Sequence, residues 1–430
     1  MLNFIIKVNL CSLFLLTKNF IFYIIKMVIV MDKIIMHIDV NNAFLSWTAV
    51  DLLNKGYKID IRNIESIIGG DESKRHGVVL AKSMVAKSKG VKTADTIRDA
   101  KRKCNDLKIY PPNHKLYEEM SNKLFNLISN YTPDIEKLSV DECFIDYTKV
   151  RNLYGDPIKF AYKLKSEIKN TLGFTVNIGV ANNKLCAKMA SDFLKPDRVH
   201  TLFKEEIIEK MYPLSIEELY GIGRSSSQKL RDLNINTIGD LACADPKVLY
   251  KYFKNQTQKI INSAKGIDDS IIVSKKQECE CISNSTTTSY NLNSLEEIYK
   301  FLYPLVENVS MSLRKNNKYA SLVGVMLKDK NFKTSSHQRK LKNPTSSTDE
   351  IYNISKELIK ELWNEEGIRL VGVSLGKLSN FQTHQISLFE DVKEVENNNE
   401  LDKVVDKLKN IYGNNIIKKA SQIKREKNVE

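Results

Sequence analysis

Ser139-Val140-Asp141-Glu142-Cys143-Phe144-Ile145-Asp146 is the stretch on which the fold turns. Two adjacent carboxylates follow a short apolar approach (Ile135, Leu138, Val140) and lead into a strand-like run from Cys143 to Ile145. This pattern reads as a hairpin or strand edge that presents acid at its tip. Paired carboxylates on a rigid strand repel unless something neutralises them, and a divalent cation is the usual partner. Upstream, Ile34-Ile35-Met36-His37-Ile38-Asp39-Val40 repeats the theme of an apolar strand ending in acid. Three carboxylates from two strands, converging on one or two Mg²⁺ ions, make the arrangement that phosphoryl or nucleotidyl transfer requires.

The 430-residue chain is 42% hydrophobic and 27% charged, the balance of a folded protein rather than a disordered one. Its length suits roughly two to four domains. A net charge of +14 points to a polyanionic partner, nucleic acid above all, with a merely solvated basic surface as the alternative. The seven cysteines are odd in number and form no Cys-x-x-Cys pair; Cys279 and Cys281 have the wrong spacing for a zinc knuckle. They read as reduced thiols of a cytoplasmic protein.

Residues 1–30 are apolar but interrupted by Lys7, Lys18 and Lys26, and the longest uncharged run, Val8 to Thr17, is too short to span a bilayer. No small-residue cleavage site follows. Met31 looks like a natural start, so residues 1–30 are expected to be a non-native leader, with a membrane anchor as the alternative.

Farther along, periodicity predicts strands at Ile34–Val40, Arg62–Gly70, Gly77–Ala81 and Phe174–Val180. It predicts helices at Asn42–Leu53, Ser83–Lys89, Glu118–Tyr131, Tyr162–Thr171 and Lys184–Phe193. The alternation suggests a central sheet backed by helices. Short helices with tight glycine turns fill 217–270, a polar linker covers 271–281, and 282–380 reads β-α-β-β-α-β. The tail, 381–430, holds one amphipathic helix with Leu401, Val404, Val405, Leu408 and Tyr412 on its apolar side. Gly69-Gly70-Asp71-Glu72 imitates the opening of a diguanylate cyclase signature, but Ser73 stands where an aromatic belongs and no strand pattern follows.

Ser-x-Asp-Glu-x-x-x-Asp at 139–146, with Ile38-Asp39-Val40-Asn41-Asn42-Ala43-Phe44 about a hundred residues earlier, resembles the palm of the Y-family translesion DNA polymerases. The resemblance runs from Met31 to about Phe389. It implies an α/β right-hand polymerase: palm and fingers over 31–216, a helix-hairpin-helix thumb over 217–270 and a little finger over 282–380. It further implies that Asp39, Asp141 and Glu142, with the Val40 carbonyl, hold two Mg²⁺ ions, Glu142 being the catalytic carboxylate. Asn41, where many members carry Asp, is expected not to be a ligand. Phe44 falls at the sugar gate, whose ring leaves no room for a ribose 2′-hydroxyl.

Gly77 to Gly90 resembles the fingers motif, with Met84 at its Tyr position and Lys87 at its Arg position. Lys87 remains a point charge for phosphate, and Ser83 or Lys82 is expected to compensate. Lys195-Pro196 matches the triphosphate-binding Lys-Pro signature, in register with Asn183-Lys184. Tyr220-Gly221-Ile222-Gly223-Arg224 reads as a hairpin whose amides, at Gly221 and Gly223, grip a DNA phosphate. Arg314, Lys315, Lys330, Lys333, Arg339 and Lys340 are expected to add phosphate contacts. Gln385-Ile386-Ser387-Leu388-Phe389 resembles the peptide that docks into the bacterial sliding clamp, with Gln385, Leu388 and Phe389 as anchors.

The resemblance implies template-directed, error-prone DNA synthesis from dNTPs on primer-template DNA, by a monomer with no membrane association and no proofreading domain. A DNA-binding repair factor weakened in catalysis, motivated by Met84 and Lys87, and a palm-type nucleotide cyclase are the rival readings.

Overall fold

The computed structural model describes residues 33–71, 77–274, 279–381, 392–413 and 416–417. Among these residues two compact units form, one from 33–69 together with 79–274, the other from 70–71 and 77–78 together with those from 279 onward.

In the first unit the chain runs through β1 (Ile35–Val40), α1 (Ala43–Asn54), β2 (Ser66–Gly69), β3 (Val79–Lys82), α2 (Met84–Ser88), α3 (Ile97–Lys103), β4 (Lys108–Tyr110) and α4 (His114–Ser129). It continues through β5 (Ile135–Lys137), β6 (Glu142–Asp146), α5 (Pro157–Leu172), β7 (Val176–Ala181), α6 (Lys184–Asp192) and β8 (Val199–Leu202). Four short helices come next: α7 (Arg224–Arg231), α8 (Ile238–Cys243), α9 (Pro246–Phe253) and α10 (Thr257–Ala264).

The main sheet has the order β5-β6-β1-β7-β8, with β1 antiparallel to both neighbours. Successive side chains on a strand point to opposite faces. Met36, Ile38, Cys143 and Ile145 therefore pack with Trp47, Tyr117 and Leu164 on one face. Ile35 and Phe144 pack with α6 and the short helices on the other. The same alternation sends His37, Asp39 and Glu142 to the α6 face. Helix α6 can lie close because β7 has Gly179 beneath it: a Cβ there would stand 1.9 Å from the Ala187 carbonyl oxygen and 2.5 Å from the Ser191 amide nitrogen.

One predicted strand differs. Only Ser66–Gly69 of the expected Arg62–Gly70 strand is paired as a strand, because Asp60 caps a 3₁₀ turn at Ile61–Asn63 through a 2.9 Å bond from the Arg62 amide. With β3 and β4 it forms a separate three-stranded sheet rather than part of the main one. The edge strands β4, β5 and β8 carry no prediction, since three or four residues are too few to display a period.

The second unit contains β9 (Cys281–Leu292), α11 (Leu295–Lys315), β10 (Tyr319–Asp329), β11 (Thr334–Thr345), α12 (Thr348–Leu362), β12 (Ile368–Ser379) and α13 (Val392–Tyr412). The β-α-β-β-α-β reading holds, in a sheet ordered β11-β10-β12-β9 with α11 and α12 packed into its core. Arg314 is not an exposed phosphate ligand as expected. Its guanidinium bonds Asp406 at 2.6 and 2.9 Å, Asp402 at 3.1 Å and the Ser346 carbonyl at 2.7 Å. Lys409 likewise pairs with Glu307 at 2.5 Å. The tail helix thus docks by its charged side and leaves Leu401, Val404, Leu408 and Tyr412 exposed, the reverse of the usual amphipathic arrangement.

Gly179→Ala is expected to lower unfolding stability by roughly 1–3 kcal/mol, the range for a methyl forced into a filled interior. Urea unfolding of the two proteins checks it; an unchanged midpoint would show that α6 shifts freely over β7.

Candidate active site at the ends of the central strands

Asp39 on β1 stands directly opposite Glu142 on β6. Asp141 lies one residue before, and its carbonyl oxygen accepts a 3.0 Å bond from the Val40 amide. Ser139 fixes the approach: its hydroxyl donates to Asp141 Oδ1 at 2.5 Å and accepts from the Asp141 amide at 3.2 Å. Two of the three carboxylates hold an ammonium group. Lys195 Nζ donates to Asp39 Oδ2 and to Asp192 Oδ1, the latter at 2.8 Å. Lys188 Nζ donates to Glu142 Oε2 at 2.6 Å.

Behind Glu142 lies His37, fully buried in β1. Its Nδ1 is hydrogen-bonded to Ser191 Oγ at 2.8 Å. Its Nε2 faces Glu142 Oε2 at 3.2 Å, without the alignment of a hydrogen bond. The His37 and Lys188 contacts hold the Glu142 carboxyl down to about 2, against the opposing effect of burial. Burial pushes the Asp39 carboxyl above its ordinary range, although Lys195 pulls the other way. Burial lowers the His37 pKa, partly offset by Glu142.

Among the described residues no three His, Cys, Asp or Glu side chains gather around one point. The donor set nevertheless suits a hard divalent cation: carboxylate oxygens stand at one end of a rigid sheet, and the ammonium groups each engage a single oxygen of Glu142 or Asp39. Asn41 is no ligand. It is buried, donating from Nδ2 to Asn177 Oδ1 at 3.1 Å and accepting the Asp197 amide at 2.8 Å. Asn177 in turn donates to the Ser191 and Leu194 carbonyls at 3.0 and 2.7 Å, which ties the loop carrying Lys195 to the strand beside Asp39.

Next to this end of the sheet is a cavity of about 500 Å³, lined by Asn42, Arg62, Lys82, Met84, Lys87 and Lys195 among others. Ser83 also borders it. The side chain is buried and its hydroxyl accepts from the Ala86 amide at 3.0 Å, capping α2, and from the Ser66 amide at 3.3 Å. That hydroxyl accepts two bonds within the fold and keeps its own proton to donate. Met84 is 56% exposed on the wall. Arg62, which the periodicity places on a strand and marks for no role, brings a further cation; it is braced by Asp60 and by the Gly173 carbonyl at 2.8 Å. Phe44, on the first turn of α1, stacks on Tyr117 with ring centres 4.3 Å apart and planes 7° from parallel.

Gly221 has φ +93°, and a Cβ on it or on Gly223 would meet open space. The backbone between Tyr220 and α7 is therefore accessible, and Gly223 is the residue preceding that helix. Arg339 and Lys340 part company. Arg339 is held by Glu357 at 2.5 Å and Glu361 at 2.7 Å, both on α12, whereas Lys340 lies exposed opposite Leu322. Arg339 thus belongs to the helix-covered side, its charge already answered. Gln385, Leu388 and Phe389 lie outside the described residues, as does the segment 1–30.

His37, Lys188, Ser191 and Asn177 are not singled out by the sequence. A polar residue inside an apolar strand is the available signal for His37 and Asn177; Lys188 and Ser191, on an ordinary amphipathic helix, give none.

Comparison with known proteins converges on one family. Residues 38–192 match the impB/mucB/samB family, residues 280–388 its C-terminal domain, and residues 204–235 the IMS family HHH motif. The chain is 44% identical over 397 residues to DNA polymerase IV of Clostridium acetobutylicum, covering 92% of this chain and 100% of that protein. It is 34% identical to DNA polymerase IV of Alkaliphilus oremlandii, covering 91% and 100%. Among solved structures, the Y-family DNA polymerase chimera Dbh-Dpo4(243-245)-Dbh superposes with a TM-score of 0.71 at 24% identity, over 80% of this chain and 98% of that one. By the extent of these matches, the chain belongs to the impB/mucB/samB family of Y-family DNA polymerases.

Proposed function

We propose that the chain is a template-directed DNA polymerase that copies damaged templates, adding nucleotides from dNTPs to a primer. The observation that carries this reading is the facing pair Asp39 and Glu142, each neutralised by a lysine, beside a cavity of about 500 Å³ ringed by cations. Asp39, Asp141, Glu142 and the Val40 carbonyl would hold two Mg²⁺ ions. Bound there, the ions would supply a more acidic primer 3′-hydroxyl and neutralisation of the leaving pyrophosphate.

The protein's own residues do the rest. Lys195, Lys87 and Arg62 offer positive charge to the triphosphate from three separate segments around the cavity. Phe44, backed by Tyr117, gives the sugar a rigid wall that leaves no space for a 2′-hydroxyl. Gly221 and Gly223 turn amides toward a DNA phosphate, and Lys340 adds a charge from the second unit. Palm, fingers and thumb correspond to the main sheet, the three-stranded sheet and the short helices, and the second unit to the little finger. The sliding clamp is the partner for Gln385, Leu388 and Phe389, and the enzyme works as a monomer.

Primer extension with Mg²⁺ and dNTPs, on undamaged and abasic templates, tests the reading. Asp141→Ala should abolish extension while primer-template binding stays within about twofold; full activity in that variant would overturn it. In the same assay, Leu388→Ala with Phe389→Ala should remove only the stimulation by added clamp.

Phe44→Ala should raise ribonucleotide insertion by one or more orders of magnitude relative to deoxynucleotide insertion. An unchanged ratio would mean that the ring only braces α1. Lys340→Ala should reduce the slope of log affinity for primer-template against log salt by about one, whereas Arg339→Ala should leave the slope unaltered. Equal slopes for all three proteins would remove Lys340 from the DNA interface.

A further inference from the structure

Helix α6 reaches the candidate site with two side chains one turn apart. Residues i and i+3 share a helix face. Ser191 Oγ meets His37 Nδ1 at 2.8 Å, and Lys188 Nζ meets Glu142 Oε2 at 2.6 Å. Lys188 is enclosed, with a side chain only 12% exposed. Its amine has a second neighbour: the ring of Tyr220, whose centre is 5.3 Å away, within cation–π range. Tyr220 opens the turn that contains Gly221 and Gly223, and its amide also contacts Met189 Sδ at 3.4 Å. One short stretch of α6 therefore touches both the carboxylate at the end of β6 and the glycine turn.

We propose that Lys188 is a positioning residue for nucleotidyl transfer: its amine sets the Glu142 side chain and, through Tyr220, makes that setting depend on the turn that grips DNA. The proposal rests on Glu142 as the catalytic carboxylate and on the turn as a DNA contact. The physical need is plain. A glutamate has three rotatable bonds, and a reacting group displaced by about 1 Å can cost on the order of 100-fold in rate. His37 faces the same oxygen from within the sheet at 3.2 Å without an aligned bond, so Lys188 supplies the shorter, aligned hydrogen bond that orients Glu142. Lys188 is tethered in turn by α6, which lies hard against Gly179. The face of the Tyr220 ring is the one part of this set that belongs to a DNA-binding turn. A shift of that ring on DNA binding moves the electrostatic environment of the amine and with it the carboxylate.

The test is steady-state single-nucleotide insertion on saturating primer-template with the full-length protein, alongside primer-template affinity and melting curves. Lys188→Met, nearly isosteric and uncharged, should lower kcat roughly 10- to 100-fold while the KM for dNTP and the DNA affinity change less than about threefold. Lys188→Arg should recover most of the loss. Tyr220→Leu should lower kcat by a smaller factor, and should add nothing further in the Lys188→Met background, because both act through one amine. A kcat within twofold of the parent for Lys188→Met, or losses that multiply independently in the double variant, would overturn the proposal. Should Lys188→Met fail to fold, Tyr220→Leu decides, since that side chain is half-exposed: an unchanged kcat at saturating DNA overturns it, and a lowered kcat at constant KM supports it. Glu142→Gln separates the two levels. Full activity there removes the role of Glu142 itself, whereas an inactive Glu142→Gln beside a normal Lys188→Met removes Lys188 alone.

Discussion

Everything at the candidate site depends on the register in which β1 pairs with β6. Asp39 faces Glu142 because Ile38 faces Cys143 and Met36 faces Ile145, and those residues are buried on one side of the sheet. Side chains alternate with a period of two, so a slip of one residue would bury Asp39 among Trp47, Tyr117 and Phe174 and expose Ile38 in its place. The hydrophobic pattern of the two strands, rather than any attraction between the acids, fixes where the acids stand. Like charges directly opposite on neighbouring strands are destabilising, so the fold holds this pair against its own preference.

The opposing charge comes from one helix and the loop that follows it. Helix α6 supplies Lys188, and the loop after it supplies Lys195, which bonds Asp39 and Asp192 together. Exposed ion pairs contribute about 0–1 kcal/mol, but in the Lys188–Glu142 and Lys195–Asp39 pairs the side chains are 12–38% exposed, and removing one partner leaves a partly enclosed charge unanswered. The position of α6 is in turn set by Gly179 on β7, and that of the Lys195 loop by Asn177 on the same strand. Strand β7 thus carries no candidate catalytic group and still determines where both lysines reach. Burial and counter-ions act on the two carboxylates in unequal proportion: Glu142, with His37 and Lys188, is held at about 2, while for Asp39 burial outweighs Lys195.

The sequence made the long elements legible and the short ones not. Strands with several alternating residues, β1 and β7, and the whole β-α-β-β-α-β unit stand close to where periodicity places them. Strands β4, β5 and β8 are too short to repeat, and their pairing with longer neighbours is what makes them strands. The spacing of Asp39, Phe44, Asp141 and Glu142 announces the candidate site, because those residues sit on or beside two strands whose pattern is plain. Hidden from the sequence are the partners supplied across the fold: Lys188, Ser191 and Arg62 look like ordinary surface residues until tertiary structure turns them inward. Local sequence is also a poor guide to which charges are free. Arg314 and Arg339 look like free cations, yet each is answered by carboxylates from a neighbouring helix, a pairing that only the tertiary structure reveals.

As the proposed nucleotide site, the cavity would bind largely through point charges, and that would limit what it selects. Met84 offers the triphosphate no hydrogen-bond donor, and Lys87 presents an ammonium without the planar fork of arginine. Arg62 has such a fork, but part of it is spent on Asp60 and on the Gly173 carbonyl. Charge of this kind attracts a triphosphate without strongly dictating its angle, and it attracts any nucleotide to a similar degree, which is uniform binding in the sense that lowers KM without sharpening choice. Discrimination must then come from shape. The Phe44 ring, held by its stack on Tyr117 and by its edge contact with His114, is a rigid surface of the kind that the proposed wall against the sugar requires. A site that binds by loose charge and selects by a wall against the sugar would distinguish sugars better than bases, which is the division of labour expected of an enzyme that must tolerate a damaged template.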